Sequence, residues 1–514
     1  MKVMDIFAFV LYFIAMIAIG IYFFFKSKNV TEKDYFLGGR AMGPWVTAMS
    51  AQASDMSAWL LMGLPGSILA FGFGQAWIGI GLAIGTAANW ILVAKRLRKF
   101  SKAAGDSITL PQYLSNRFAS KSHAVSIICA VVFLVCFTIY VASAFVAGTD
   151  VFTTLVPSLK AEYAMLIFAA IVIVYTFLGG FNAVCWTDFF QGLLMIAALM
   201  IVPITIALGD NLDFSALDTV YYSKDGEEFK FVANFFNASW KDIVSGLGWG
   251  LGYFGMPHII VRFMAIEKPS MVKKSATVAI IWVVLSLAAT IIIAYLGRMF
   301  VYDNGVDLSK DLLWEGKQAL VFVKLARYVF PGFIAGLLLA AIIAASMSTA
   351  DSQLLVAASS FTSDLYKPLV RKNASNKEIL WVSRLVVIAI AVVAYIIASS
   401  KGKAAQAIMD LVSNAWGIFG AAFGPAVLFS LFWKRFTYKG AVAGIVVGAV
   451  VDMAWLWLPV ANGKALTAIT GVYEIIPGFI IGALAAIVVT LLDKAPSKEV
   501  MDIYARATDN SIDD

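Results

Sequence analysis

We count 13 stretches of about 20 mostly apolar residues, and this pattern limits the fold more than any other feature of the sequence. A helix of about 20 apolar residues crosses the hydrocarbon core of a bilayer. An open sheet cannot cross, because its unpaired edge would face lipid, and the stretches are too long and uniformly apolar for barrel strands. The sequence therefore predicts an all-α membrane protein with about 13 transmembrane helices. The stretches are 4–25, 44–70, 73–94, 124–154, 161–179, 186–208, 243–261, 275–297, 319–350, 380–398, 405–433, 438–458 and 472–492.

Composition and charge support a membrane location. The chain is 61% hydrophobic and 14% charged, with a mean hydropathy of +0.85, whereas soluble domains are about 25% charged. Most of the 39 Lys and Arg residues lie in alternate connections between the stretches. The positive-inside rule then predicts an external N-terminus and a cytoplasmic C-terminus. Residues 493–514 are expected to form a short polar cytoplasmic tail.

Other function classes find little support in the sequence. The net charge of +7 arises from short basic loops, which indicates membrane topology and no nucleic-acid partner. Cys129, Cys136 and Cys185 lie in apolar stretches without metal-ligand spacing, so we expect neither a disulfide framework nor a zinc site. The residues His123 and His258 are too few for a histidine metal cluster. We find no phosphate-binding GxxxxGK[ST] motif and no nucleophile paired with a base, so we expect neither ATP-driven transport nor an enzyme.

Two of the predicted helices are interrupted. The second contains SAQASDMSAW followed by GLPG, and the seventh reads SGLGWGLGYFGMPHIIVRFM over 245–264. Glycine costs a helix about 1 kcal/mol and interior proline about 3 kcal/mol. Ordinary packing of membrane helices through small residues is one interpretation. The other is a 5+5 inverted repeat in which the breaks correspond, because they lie five helices apart; such paired breaks indicate a transporter binding site.

A broken membrane helix can bind an ion and a substrate together. Freed carbonyl oxygens suit a hard cation such as Na⁺, and the N-terminus of the next half-helix suits a carboxylate. The ninth stretch adds hydroxyls beside acids, although membrane Ser and Thr also bond their own i−4 carbonyls. Acids at membrane depth are functional candidates by default, while an interfacial position is the alternative for Asp188. These side chains are Ser346, Ser348, Thr349, Ser352, Asp55, Asp188 and Asp351.

Aromatic side chains lie in or near the two breaks. Most Trp and Tyr residues of such a chain belong to the core or the interfacial belt. Only their position near the breaks distinguishes four of them, Trp59, Tyr140, Trp249 and Tyr253. We predict that these four line one small cavity able to hold a ring. We also expect Asp55 to face a water-accessible cavity and to favour Na⁺ by its charge.

Long motifs resemble the sodium/solute symporter family, and most of all its bacterial proline-transporting branch. They are FLGGRAMGPWVTAMSAQASDMSAWLLMGLPG at 36–66, FTIYVASAFVAG at 137–148, GWGLGYFGMPHIIVRFM at 248–264, ASMSTADSQLL at 345–355 and YEIIPGFI at 473–480. The resemblance covers essentially the whole chain. It implies one transmembrane domain over 1–492 with a LeuT-like 5+5 inverted-repeat core. The repeats would cover about 44–208 and 243–433, with peripheral helices at 4–25, 438–458 and 472–492.

The resemblance also implies site residues. The sodium ligands map to Ala53, Met56, Ala345, Ser348 and Thr349, and the proline-binding residues to Ser57, Trp59, Tyr140, Trp249, Tyr253 and Pro257. Asp55, Asp188 and Arg40 match residues tied to ion coupling. Two positions depart from the family pattern: Met256 replaces an expected Gln, and Asp351 replaces an expected hydroxyl residue. With Ser352, Asp351 is a candidate for a second cation site.

The expected function is symport of Na⁺ and L-proline into the cell, across the bacterial cytoplasmic (inner) membrane, by alternating access. A sugar, pantothenate or another amino acid carried by the same fold is the nearest alternative; an ion channel or a membrane enzyme would be a different class. We expect no cofactor besides Na⁺ as coupling ion, no other metal, no nucleic acid and no obligate protein partner; the lipid bilayer is the solvent.

Overall fold

The computed structural model describes residues 3–26, 31–178, 180–400 and 406–509, and almost all of them are helical. The helices are α1 (Val3–Lys26), α2 (Glu32–Leu37), α3 (Pro44–Met56), α4 (Gly63–Phe71), α5 (Phe73–Ala88), α6 (Lys95–Ala103), α7 (Leu110–Arg117), α8 (Ala124–Leu155), α9 (Ala161–Leu178), α10 (Phe181–Ala207), α11 (Trp240–Gly248), α12 (Pro257–Ala265), α13 (Val272–Met299), α14 (Leu308–Trp314), α15 (Val321–Val329), α16 (Gly332–Ser359), α17 (Asn376–Ser400), α18 (Gln406–Phe432), α19 (Tyr438–Trp457), α20 (Leu466–Thr470), α21 (Ile475–Leu492) and α22 (Lys498–Thr508). Two short antiparallel hairpins, β1 (Tyr221–Tyr222) with β2 (Glu228–Phe229) and β3 (Pro459–Ala461) with β4 (Lys464–Ala465), lie in connections.

The prediction of a helical membrane protein is confirmed. Ten helical segments of the described chain are long and apolar enough to span, and two shorter apolar helical segments cover Ala58–Phe71 and Ala161–Phe177. In the most apolar 18 residues of each segment, 83% of the residues are buried in α16 and 28% in α1. Helix α16 is therefore central and α1 peripheral. The predicted ends at 179 and 405, and tail residues 510–514, lie outside the described residues.

Two boundaries differ from the prediction. The stretch 319–350 is not one helix: α15 ends at Val329, and α16 begins after the extended residue Pro331 and continues as a π-helix to Val370. Proline cannot continue the preceding helix, and apolar composition alone does not reveal this break. The tail contains the short helix α22, which buries Val500 and Ile503.

The first predicted helix break is present. Helix α3 ends at Met56, a 3₁₀ turn covers Ala58–Leu60, and α4 begins at Gly63. Between them Ser57 adopts φ of 47° and ψ of −174°, and its Oγ accepts a hydrogen bond of 3.0 Å from the Trp59 amide. Positive φ costs a non-glycine residue of the order of 1–3 kcal/mol. The hydrogen bond made by the Ser57 side chain therefore offsets part of the cost of its strained backbone conformation.

The second break lies in the predicted place as well. Helix α11 ends at Gly248, a 3₁₀ segment covers Trp249–Phe254, and α12 begins at Pro257. Proline suits the first helical position, because it lacks the amide hydrogen that would have no partner there. The segment lies against α5 and α18, and the indole Nε1 of Trp416 in α18 donates a 2.8 Å hydrogen bond to the carbonyl of Trp249.

Glycines let the backbone of α5 lie directly against the backbone of the seventh predicted helix at its break. A Cβ added at Gly85 would lie 2.4 Å from the carbonyl oxygen of Gly250, and one added at Gly81 would lie 2.2 Å from that of Gly246. Real side chains do not approach backbone so closely, so glycine is required at both positions of α5. This contact fixes α5 against the seventh predicted helix.

We expect Gly85→Ala to lower the free energy of unfolding by about 1–3 kcal/mol, because the added methyl group must push two backbones apart. The midpoint of thermal unfolding in detergent measures the change. Gly20→Ala is the matched control, since a Cβ there meets nothing within 4 Å. An unchanged midpoint in Gly85→Ala would contradict the close contact.

Candidate functional site

A buried carboxylate joins the two breaks. Asp55, in the last turn of α3, is 3% exposed and accepts a 2.6 Å hydrogen bond from the Tyr253 hydroxyl in the second break. The Tyr140 hydroxyl in α8 donates to the main-chain oxygen of Asp55 at 3.4 Å. The expectation that Asp55 faces a water-accessible cavity is wrong for this conformation, because Tyr253 covers it. Sequence patterns do not show which buried group a distant segment presents to a carboxylate.

Hard oxygen atoms converge beside this carboxylate. The Ser348 hydroxyl of α16 lies 2.8 Å from the carbonyl oxygen of Ala53 and 3.2 Å from that of Ala345. The Thr349 hydroxyl is buried without a hydrogen-bond partner in the described chain. A buried hydroxyl without a partner is costly unless a ligand satisfies it. Ser346 instead donates to the Ile342 carbonyl at 3.0 Å, so for this serine the interpretation as a back-bonded side chain is confirmed.

Four of the five residues assigned to sodium are thus adjacent in the structure. Hydrogen bonds join Ala53, Ala345 and Ser348, and Thr349, whose hydroxyl has no hydrogen-bond partner in the described chain, directly follows Ser348. Met56, the fifth, ends α3 three residues after Ala53. Oxygens of this kind, two or more of them backbone carbonyls, are ligands that hard cations prefer.

Aromatic rings form a continuous stack across the two breaks. Trp59 stacks on Trp249 with ring centroids 5.4 Å apart, and Trp249 stacks on Tyr473 at 5.1 Å. Trp416 packs edge-on against Tyr253 at 5.1 Å. The structure therefore brings Trp59, Trp249 and Tyr253 together, and a shared cavity with Tyr140 stays a prediction.

Two members of this aromatic cluster were missed from sequence, Trp416 and Tyr473. Trp416 lies in NAWGIFG, where neighbouring glycine allows close approach as it does around Trp249. Tyr473 comes directly before the acid Glu474 at the start of an apolar stretch. Both signals were present but weak, because the chain holds 14 Trp and 18 Tyr residues and most are not in the site.

The remaining substrate candidates surround the stack. Ser57 lies at the first break and Pro257 starts α12. Tyr140 contacts Asp55 through its hydroxyl, and its ring lies 6.4 Å from that of buried His258. Met256, which replaces an expected Gln, is fully buried directly before Pro257.

Asp188 belongs to a second buried polar cluster. Its Oδ2 lies 3.1 Å from Arg262 Nη2 and accepts a 2.7 Å hydrogen bond from Ser50, and both charged side chains are at most 1% exposed. Asp188 is therefore buried inside the protein and paired, and does not face headgroups directly. Arg262 also donates to Ser352 of α16 at 2.5 Å and to the His258 carbonyl at 2.5 Å. The cluster joins α3, α10, α12 and α16.

Sequence reasoning assigned no role to Arg262, although a basic residue inside PHIIVRFM is as unusual at membrane depth as an acid. Asp351, the acid of α16, is fully buried. Its Oδ1 accepts from the Ser352 hydroxyl at 3.3 Å, and its Oδ2 has no hydrogen-bond partner within the described ranges. Ser352 thus connects Asp351 to Arg262.

Arg40 lies outside the spans and contacts a different part of the chain. It donates to Asp106 Oδ1 at 2.7 Å, to the Ser107 carbonyl at 2.8 Å and to the Met264 carbonyl near the end of α12 at 2.5 Å. Burial favours a raised pKa for Asp106, but the hydrogen bonds and charges of Lys33 and Arg40 outweigh it and lower that pKa. The contact is therefore present above the ordinary aspartate pKa of about 4 and is lost only at lower pH. Arg40 holds the end of α12 and does not touch Asp55.

We expect Arg262→Met to lower the free energy of unfolding by about 3–5 kcal/mol, because it leaves Asp188 charged, buried and unpaired. The double variant Arg262→Met/Asp188→Leu should recover much of this loss, since it removes both charges. Thermal unfolding in detergent measures both changes.

Arg371→Met is the matched control, because Arg371 is 63% exposed in its 3.3 Å ion pair with Glu378. It should cost about 1 kcal/mol or less. A double variant no more stable than Arg262→Met would show that the ion pair does not account for the cost.

Two interrupted helices whose breaks meet in a many-helix membrane bundle define the architecture typical of secondary transporters. The chain belongs to the sodium:solute symporter family, whose model matches residues 35–448. It is 42% identical over 502 residues to the sodium/proline symporter of Salmonella typhimurium, covering 97% of this chain and 95% of that protein. It is also 42% identical to the sodium/proline symporter of Escherichia coli, with coverages of 97% and 95%. The high-affinity proline transporter of Bacillus subtilis is 42% identical, with coverages of 95% and 98%.

Solved structures share the fold at low sequence identity. A Na⁺-coupled sialic acid symporter in a substrate-bound outward-open state superposes with a TM-score of 0.74 at 20% identity, covering 97% of this chain and 99% of that one. A nucleobase-cation-symport-1 family transporter in a closed conformation superposes with a TM-score of 0.55 at 13% identity, with coverages of 93% and 99%. At these identities the likeness concerns the fold alone.

Proposed function

We propose that this protein is a sodium-coupled secondary transporter that imports L-proline together with Na⁺ by alternating access. The observation that carries the proposal is the oxygen cluster of Ala53, Ala345 and Ser348 beside the unpartnered Thr349 hydroxyl, one turn from the break that holds Trp59. Relatives with 42% identity over nearly the whole chain are named for sodium and proline, which supports both the ion and the cargo.

The proposed frame is a core of two inverted five-helix repeats, about 44–208 and 243–433, within a single domain of 13 spanning helices over 1–492. The two breaks support this division, because each lies in the first helix of its proposed repeat. Helices at 4–25, 438–458 and 472–492 are peripheral. We place the N-terminus outside and the tail 493–514 inside, in the cytoplasmic (inner) membrane of a bacterium, on the distribution of basic residues.

Na⁺ binds between α3 and α16 in this proposal. Its ligands are the carbonyl oxygens of Ala53, Met56 and Ala345 and the hydroxyl oxygens of Ser348 and Thr349. The ion would replace the Ser348 hydrogen bond to Ala53 and would satisfy the Thr349 hydroxyl. An intact helix has no carbonyls to spare, so the end of α3 at Met56 is what makes the oxygens of Ala53 and Met56 available.

Proline binds at the two breaks. Its carboxylate is attracted by the positive dipole of the turn after Ser57. Its ring packs on the aromatic cluster of Trp59, Trp249 and Tyr253, with Tyr140 and Pro257 closing the pocket. Binding then requires the Trp59–Trp249 stack to separate, since those rings now contact each other.

Asp55 couples the two ligands. It follows Ala53 by two residues in α3, so we propose that its charge favours Na⁺ while its hydrogen bond to Tyr253 holds the second break in place. By linkage, Na⁺ that strengthens proline binding must itself bind more tightly when proline is present. One charge moved through about 100 mV supplies about 2.3 kcal/mol, to which the sodium gradient adds.

In this proposal a second group of residues contributes to the coupling between Na⁺ and proline and not to the first ion site. These residues are Asp188, Asp351, Ser352 and Arg40. The guanidinium of Arg262 already supplies a positive charge beside Asp188. With Ser50 and Ser352, the pair therefore holds α3, α10, α12 and α16 together. Arg40 holds the end of α12 through the Met264 carbonyl. No cofactor besides Na⁺, no nucleic acid and no obligate protein partner is required; the bilayer is the solvent.

Uptake of labelled proline into proteoliposomes tests the cargo. An inward sodium gradient should drive saturable uptake that unlabelled proline inhibits and that a sugar, pantothenate or other amino acids inhibit weakly. If one of those solutes inhibits uptake strongly and unlabelled proline does not, the transporter carries another substrate. Uptake that neither saturates nor depends on sodium would indicate a passive pore.

We expect Ser348→Ala and Thr349→Ala each to raise the sodium concentration for half-maximal uptake by about tenfold or more, because each removes a hard oxygen ligand from a dehydrated cation. Ser346→Ala is the matched control, since the Ser346 hydroxyl is bonded within its own helix. Wild-type sodium dependence in both Ser348→Ala and Thr349→Ala would place the ion elsewhere.

Replacing Asp55 separates charge from shape. We expect Asp55→Glu to retain part of the sodium-driven uptake and Asp55→Asn to lose nearly all of it at low sodium, because only the carboxylate attracts the cation. Asp452→Asn controls for loss of a buried acid outside the site, since Asp452 lies in α19. If Asn at position 55 transports as well as Asp at low sodium, the charge is not what the site requires.

A further inference from the structure

Three buried polar side chains lie next to the two breaks, and the function proposed above uses none of them. Gln52 lies one turn before the end of α3, Asn89 directly follows α5, and His258 is the second residue of α12. All three residues are at most 1% exposed. We refer to Gln52, Asn89 and His258 as the polar layer.

Each member of the polar layer has a polar atom without a hydrogen-bond partner. Within the part of the chain that the structure describes, this holds for Gln52 Nε2 and for Asn89 Oδ1. The other amide atoms of these side chains are bonded: Gln52 Oε1 accepts from the Trp90 indole at 3.5 Å, and Asn89 Nδ2 donates to the Tyr253 carbonyl at 3.0 Å. Buried polar atoms are rarely left without a partner, so two neighbouring cases indicate a bound group that the closed conformation lacks.

His258 adds a third such group. One of its ring nitrogens lies near the main chain of Ser54 in α3, and the other has no partner among the described residues. Its ring lies 5.7 Å from that of Phe137 and 6.4 Å from that of Tyr140, which is one of the substrate candidates. An imidazole can donate or accept a hydrogen bond. The polar layer therefore offers donors and acceptors beside the proposed proline pocket.

The three residues come from segments that pack together. Helix α12 lies against α3 and against the π-helix Asn89–Ala94, and this π-helix also lies against the second break. Short π-helical segments inside longer helices occur frequently at functional sites. The polar layer is thus formed by the segments that meet at the breaks, and not by a separate part of the fold.

The polar layer lies between the breaks and one closed face of the bundle. From the breaks, α3 leads back to Pro44 and α12 leads on to Ala265. Main-chain hydrogen bonds join these two ends: the Met42 amide donates to the Ala265 carbonyl at 3.2 Å, and the Glu267 amide donates to the Met42 carbonyl at 3.0 Å. With the N-terminus outside, as proposed above, this face is cytoplasmic. A substrate that leaves the breaks for the cytoplasm passes the polar layer once these bonds open.

We propose that the polar layer is a second, transient binding site for the transported amino acid, occupied between its release from the breaks and its entry into the cytoplasm. The Gln52 amide donates to the substrate carboxylate, Asn89 Oδ1 accepts from the substrate ammonium group, and His258 bonds either group. Neutral amides hold a zwitterion by hydrogen bonds and still allow it to leave. The inference rests on the proposed function, which supplies the substrate and the direction of transport.

Half-saturation measured separately at the two membrane faces tests the proposal. Right-side-out membrane vesicles that contain the full chain take up labelled proline from outside, and vesicles preloaded with labelled proline release it. Gln52→Met and His258→Leu should each raise the internal proline concentration for half-maximal release about fivefold or more, because each removes a hydrogen bond to the substrate. The external concentration for half-maximal uptake should stay near the wild-type value.

Two further variants separate binding from a structural role. His258→Gln keeps a nitrogen donor, so its release value should lie between those of the wild type and His258→Leu. Thr490→Val is the matched control, because the Thr490 hydroxyl is also buried and without a partner in the described ranges but lies in α21. It should leave release unchanged.

Equal increases at the two faces, or a wild-type release value in Gln52→Met, would overturn the polar layer as a binding site, whatever the His258 variants show. An increase in Thr490→Val as large as that in Gln52→Met would overturn it as well. Absence of sodium-driven proline uptake by the unchanged protein would instead contradict the proposed function, so the two failures are distinguishable.

Discussion

Backbone groups freed inside a membrane must find partners within the protein, because lipid offers none. This constraint governs the centre of the structure. Ser57 caps the turn that follows α3 with its own side chain, and Pro257 starts α12 without an amide hydrogen to satisfy. The hydrogen bond from Tyr253 to Asp55 then joins the first break to the second.

Helix α16 provides the fixed surface against which the breaks are arranged. Ser348 contacts the end of α3 through the Ala53 carbonyl, and Ser352 contacts α12 through Arg262. These contacts lie about one helical turn apart on the same helix. A movement of α3 away from α16 therefore exchanges hydrogen bonds in both clusters, through the Ala53 carbonyl in one and through Ser50 in the other. The proposed coupling of ion and substrate uses this arrangement.

Apolar stretches and helix-breaking residues were sufficient to predict a helical membrane protein and the place of both breaks. They were insufficient for contacts between distant segments. The partner of Asp55 is 198 residues away in the chain, and Arg262 meets Asp188 across two helices. Such pairings depend on packing rather than on local pattern. The same reason explains why Trp416 and Tyr473 were missed.

The resemblance of long motifs contributed what periodicity could not, namely a proposal for which residues of a break bind the ion and which bind the substrate. The structure brings Ala53, Ala345, Ser348 and Thr349 together, and it stacks Trp59 on Trp249. It also shows what these assignments require: Tyr253 must hold Asp55, and the stacked indoles must part before a ring can enter. Both are properties of the assembled site that no single motif contains.

Binding of labelled proline to the purified protein, measured while sodium is varied, tests the central claim most directly. If one ion and the substrate share a site built from two linked breaks, the proline dissociation constant should fall as sodium rises and reach a plateau. Sodium affinity should rise by the same factor when proline is saturating. A proline dissociation constant that is the same without sodium and at saturating sodium would contradict the account.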